Sequence, residues 1–141
     1  MKNLLKNLEP HGIGIRPLTE EDFWSICEKE NIEVIWSPEK FSFYFSVLGR
    51  KFITLPKRKR GLRLLYAMFH ELGHALASPG LEVDAAFLSA AHTKDEAEAD
   101  AIALVAMIPK HKIKEMAFLD NSRFGGKLWN ERLRLWFIYD I

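Results

Sequence analysis

At 141 residues, 48% hydrophobic and 28% charged, the chain is long enough to bury one sizeable core and too apolar to be disordered. Its formal net charge of +1 gives no global attraction to nucleic acid or an anionic membrane, and no apolar run reaches the ~20 residues a bilayer span needs. One domain over residues 1–141 is expected, with no direct nucleic-acid binding and no membrane contact.

The opening Met1-Lys2-Asn3-Leu4-Leu5-Lys6 carries charge but no continuous apolar stretch, so it is not a secretory signal. A loop is expected to follow, with His11 at the surface. Thr19-x-x-Asp22 then marks a helix start, and Glu20 to Glu30 forms a helix with Phe23, Ile26 and Cys27 inward. The lone Cys27 can form no internal disulfide, and nothing beside it would lower its pKa. It reads as a core thiol in a reducing cytoplasm.

Ile32 to Trp36 predicts a short strand. Phe41, Phe43, Phe45 and Val47 alternate with Ser42, Tyr44 and Ser46, the period of a strand with its aromatic face in the core. Leu48 to Lys51 can turn the chain, and Phe52 to Leu55 returns as the partner strand before Pro56 ends it. An extended substrate could pair with the free edge of this hairpin through main-chain hydrogen bonds. Lys57-Arg58-Lys59-Arg60, with Arg63 beyond, oppose the dipole of the helix they precede. They read as a solvated loop, or else as an electrostatic landing site for an acidic partner or DNA.

Arg60 to Ala77 predicts a helix, stopped by Ser78-Pro79-Gly80. It contains His70-Glu71-Leu72-Gly73-His74. Positions i and i+4 stack on one helical face, so the two imidazoles converge where one zinc ion can be held. Glu71, one residue round, can act as general base toward a water there. Ala67, Gly73 and Ala77 leave room for the metal and a second helix, although Gly73 should cost the helix about 1 kcal/mol relative to alanine. A glycine without an evident packing reward points to function. Tyr66 reads as core.

A catalytic zinc site takes a third protein ligand. A metzincin arrangement is excluded, since Gly80 stands where a third histidine would be required. In Lys94 to Ala103, Glu96, Asp100, Ala103 and Met107 line one helical face beside Ala99. Glu96 is the candidate third ligand, and Asp100 would accept a hydrogen bond from a ligand imidazole and fix its tautomer. Thr93-Lys94-Asp95-Glu96 is also a capping box; if the cap takes Glu96, Glu98 or His92 becomes the ligand. Two imidazoles and a carboxylate suit manganese or iron as well as zinc. Candidate oxyanion donors are Tyr44, His92 and Arg63.

Lys112 to Phe118 predicts a short helix after Pro109, Asn121 to Gly126 a loop, and Lys127 to Tyr139 a last helix with Leu128, Leu135 and Ile138 apolar. Trp129, Trp136 and Phe137 add apolar surface, either packed on the core or forming an association surface. His111 reads as a surface residue.

The histidine-glutamate motif, followed by Glu96-Ala97-Glu98-Ala99-Asp100 and by Ala103 through Met107-Ile108-Pro109, resembles the ImmA/IrrE family of zinc metallopeptidases. The resemblance extends to Gly14 to Asp22 and to Glu131-Arg132-Leu133-Arg134-Leu135. It implies an α+β, gluzincin-like minimal zincin domain, with a small antiparallel sheet packed on a mainly helical core. It also implies that His70, His74 and Glu96 hold the metal, that Glu71 is the base, and that the substrate is a protein, a helix-turn-helix repressor whose cleavage derepresses stress or mobile-element genes. The family often has asparagine where this chain has Asp100, and some members carry a DNA-binding domain for which this chain is too short. The alternative reading is a non-catalytic metal-binding regulatory or toxin-like module, but a purely structural site has no use for Glu71.

Overall fold

The computed structural model describes residues 1–77, 92–117 and 125–141. The expected stop at Ser78-Pro79-Gly80 and most of the expected loop at Asn121 to Gly126 lie outside the described residues. The fold is α+β. In chain order it comprises α1 (Lys2–Leu8), α2 (Glu20–Lys29), β1 (Ile32–Ser37), β2 (Phe43–Val47), β3 (Arg50–Pro56), α3 (Gly61–Ala77), α4 (His92–Met107), α5 (Ile113–Ala117) and α6 (Gly125–Tyr139). One cluster of buried apolar side chains runs from Leu5 to Ile141 through the long elements, and a second gathers Met107, Ile108, Ile113 and Trp129.

The first eighteen residues are not a plain loop. α1 buries Leu5 and Leu8, a 3₁₀ turn at Glu9–His11 ends on Gly12 at φ +89°, and the Leu18 amide donates to the Ala106 carbonyl at 2.9 Å. Seven residues are too few to reveal a helix by propensity; burial against the core stabilises it. His11 is correspondingly not a surface residue. Its side chain is 13% exposed, with Nε2 3.6 Å from Glu30 Oε1.

The start of α2 follows the expected chemistry. Asp22 accepts from the Thr19 amide at 2.8 Å and the Thr19 hydroxyl at 3.0 Å, and Arg16 donates to it at 2.9 and 2.7 Å. The Arg16 hydrogen bond leads in holding the Asp22 carboxyl down to about 2. A depressed folded-state pKa stabilises the fold above the ordinary carboxylate range and ceases to do so as pH falls toward 2. Asp22→Ala is therefore expected to cost about 1 kcal/mol near neutrality. Urea unfolding should show its deficit against wild type shrinking between about pH 4 and 2; a pH-independent deficit would contradict this. Cys27 sits as expected, its thiol buried and pushed up to about 12 by that burial.

The sheet departs from expectation twice. It is mixed, in the order β1-β3-β2, with β1 parallel and β2 antiparallel to β3. The strand through Phe52 to Leu55 is thus central, and among the described residues the hairpin's outer strand is β2. The inward face is also the other one. Leu48 and Gly49, at φ +51° and +79°, make a two-residue turn that sets Tyr44 opposite Ile53 and Ser46 opposite Lys51. Residues directly opposite share a face, so the burial of Ile53 and Leu55 takes Tyr44 and Ser46 inward. Phe43 and Val47 are left exposed. The outer rings pack on one another, Phe43 against Phe45 at 5.5 Å and Phe45 stacked on Phe52 at 4.9 Å, with the Arg50 guanidinium 5.2 Å over Phe52.

The C-terminal half of α4 is enclosed on all sides, every residue from Ala101 to Ile108 being buried. At its C-terminal end the fully buried Arg132 of α6 donates Nε–H to the Ile108 carbonyl at 2.6 Å and Nη1–H to the Ile141 main-chain oxygen at 2.8 Å. Burial lowers this guanidinium to about 10. Cations suit a helix C-terminus, so Arg132 fixes the far end of the helix that carries Glu96. In α6, Trp129 and Leu135 are buried, but Phe137, Ile138 and Tyr139 are exposed. His111 is exposed as expected.

Candidate metal centre

α3 presents His70, Glu71 and His74 on its side toward α4. Glu71 and His74 are buried, 3% and 6% exposed, and the His70 side chain is 14% exposed. Donor atoms of these three residues all lie within 4.8 Å of one another, and the two rings meet edge to face with centroids 4.9 Å apart. α4 brings Glu96 to them: Oε2 stands 3.1 Å from His70 Nε2 and Oε1 2.8 Å from His74 Nε2. One carboxylate therefore spans both imidazoles. The backbone of α4 is already helical at His92, and the Glu96 side chain points to the imidazoles. The His92 side chain lies outside the described residues.

Asp100, one turn beyond Glu96, places Oδ1 2.8 Å from His70 Nδ1, within ion-pair distance. A carboxylate there favours the tautomer with the proton on Nδ1 and the lone pair on Nε2, the side facing Glu96. Burial lowers His70, but the Asp100 hydrogen bond and the charges of Glu71, Asp100 and Glu96 outweigh it and its pKa is raised. Burial leads in lowering His74, favouring the neutral imidazole that metal ligation uses. Burial also leads in raising Glu71 to about 7. Its Oε2 is buried with no partner among the described residues. An orphaned buried carboxylate oxygen costs free energy unless a proton, water or cation satisfies it, so this cluster of imidazoles and carboxylates fits a divalent ion.

Tyr66 packs against the core as its apolar helix implies, and it has a polar partner as well. Its hydroxyl donates to Asp100 Oδ1 at 2.5 Å, and its ring lies 5.9 Å from that of His70. Burial leads in raising the phenol, which stays a proton donor. Only its i, i+4 spacing before His70 signals this in sequence, and that spacing equally describes a core residue.

The packing reward for Gly73 is now visible. A Cβ there would lie 3.3 Å from the Ala99 Cα and 3.3 Å from Ile102 Cβ and Cγ2, so its absence lets α3 and α4 approach closely enough for Glu96 and Asp100 to reach the imidazoles. Gly73→Val is expected to cost about 1–3 kcal/mol of stability through overpacking and to weaken zinc binding at least about tenfold. Urea unfolding and chelator competition measure the two; wild-type affinity in a folded Gly73→Val protein would show that this contact does not set the spacing.

Of the expected oxyanion donors, two have described side chains. Tyr44 is buried in the main core, paired across β3 with Ile53. Arg63 is exposed and makes no hydrogen bond or ion pair among the described residues. In the basic loop, Arg60 donates to the main-chain oxygens of Lys57 and Lys59. Lys57 and Arg58 are exposed, in keeping with a solvated loop, while the charge of Lys59 reaches Glu71 and opposes the rise in its pKa.

Comparison with protein families matches residues 27–123 to the IrrE N-terminal-like domain, Peptidase_M78. No curated protein and no solved structure matches the chain. Among the described residues, no helix is long and apolar enough to cross a membrane.

Proposed function

Because the chain belongs to the IrrE N-terminal-like family of metallopeptidases, we propose that it is a metal-dependent endopeptidase whose single domain over residues 1–141 hydrolyses a peptide bond in a protein substrate. The carrying observation is the meeting of His70, His74 and Glu96 from two helices, with the buried Glu71 beside them. His70, His74 and Glu96 would hold the ion, zinc by donor type, with manganese and iron accepting the same set. A bound divalent ion supplies Lewis acidity and draws the pKa of hydrolytic water toward neutrality.

The chain's own residues do the rest. Asp100 holds the His70 ring. Glu71 Oε2 takes a proton from the water as its oxygen adds to the peptide carbonyl carbon. The same carboxyl returns that proton to the amine as the C–N bond breaks. Among the described residues β2 is an edge strand of the sheet, and an extended substrate would add beside it through main-chain hydrogen bonds. The resemblance in the motif region favours a helix-turn-helix repressor as substrate, in a cytoplasmic setting.

The test compares new protein N-termini in cells expressing wild type or Glu71→Gln. Cuts made only by the wild type would give the reaction and the substrate together. If none appears while the protein binds zinc, the metal-binding regulatory module takes its place.

A further inference from the structure

Resting on the metal-centre reading above, we infer that Tyr66 is a positioning residue for the metal ligand His70, acting through Asp100. Three groups form one chain. The Tyr66 hydroxyl donates to Asp100 Oδ1 at 2.5 Å, and the same oxygen lies 2.8 Å from His70 Nδ1. Both contacts fall on the side of the imidazole away from Nε2, which faces Glu96. Tyr66 therefore does not touch the ion or the substrate; it fixes the group that fixes the ligand.

The need for such a residue follows from the exposure of Asp100. Its side chain is 50% exposed, so a carboxylate held by His70 alone would be free to sample other rotamers, each leaving the imidazole tautomer unset. Tyr66 removes that freedom at small entropic cost, because a half-buried tyrosine has two torsions and a rigid ring. Its position one turn before His70 makes the tether reach from α3 to α4, so the hydroxyl also sets Glu96, one turn before Asp100, relative to both histidines. On that one carboxylate oxygen a hydrogen-bonded phenol and an imidazole nitrogen at ion-pair distance meet.

The experiment measures zinc affinity by chelator competition across pH for wild type, Tyr66→Phe, Asp100→Ala and the double variant, with thermal unfolding of each metal-free protein. Tyr66→Phe should bind zinc about tenfold more weakly, as loss of an outer hydrogen-bond partner does. Its metal-free unfolding should stay close to wild type, and the pH at which zinc uptake is half complete should move upward. In the Asp100→Ala background the same change should have no further effect. Wild-type affinity in Tyr66→Phe, or an equal loss with and without Asp100, overturns the inference while leaving the metal centre standing. Failure of the wild type itself to bind zinc overturns both. Should Tyr66→Phe not fold, difluorotyrosine at position 66 keeps the ring and alters only the donor; an unchanged zinc affinity there likewise overturns it.

Discussion

Glu71→Gln is expected to bind zinc within about threefold of wild type and to cleave its substrate about 10²–10⁴-fold more slowly, the span that a positioned general base contributes. Glutamine keeps the length and polarity of the side chain, so the buried surroundings of residue 71 are preserved. It cannot accept the proton that water must lose. Metal should be retained because His70, His74 and Glu96 meet without help from Glu71 Oε2, which has no partner among the described residues. Single-turnover cleavage of the substrate found from the new N-termini, with zinc content measured on the same samples, separates the two effects. Cleavage at the wild-type rate would refute the base assignment. Joint loss of zinc and activity would assign Glu71 to holding the ion.

Glu96→Ala is expected to abolish tight zinc binding, with a loss beyond the 10–100-fold that outer-shell partners cost. The carboxylate contacts both imidazoles through different oxygens, so its removal leaves two nitrogen donors, one short of the three protein ligands of a catalytic site. Glu98→Ala, the alternative offered by the sequence, should bind zinc as wild type does. The comparison is discriminating because both substitutions remove one charge from the same helix and differ in the face they alter. Retained affinity in Glu96→Ala with loss in Glu98→Ala would reverse the assignment.

How far the sequence reached depended on whether the relevant contact was local. The capping box of Thr19 and Asp22 formed as spaced, and the His70-His74 pair converged because four residues of helix place side chains on one face whatever surrounds them. The reach of Glu96 and Asp100 was legible too, once their helix was known to lie against the first. Gly73 leaves room for a second helix as its small size implied, but the particular neighbours, Ala99 and Ile102, are set by tertiary packing. Tyr66 and Arg132 were missed as polar anchors because their partners, Asp100 and the Ile108 carbonyl, are 34 and 24 positions away.

The sheet shows the same limit. Alternation established that Phe43 to Val47 is a strand, but either of its faces could be buried, and only the register that sets Tyr44 opposite the buried Ile53 chose Tyr44 and Ser46 for the interior. Parallel β1 likewise could not be foreseen, since strand direction is set by how helices cover the sheet and not by residues within the strand.

By itself, then, the order of amino acids determined the helix that carries two imidazoles and a carboxylate, because covalent spacing and helical pitch leave those side chains no other arrangement. Which acid on the second helix meets them, which aspartate oxygen is shared by Tyr66 and His70, and which face of the sheet turns inward were decided by packing, because each depends on distances between segments that the chain's local geometry does not fix.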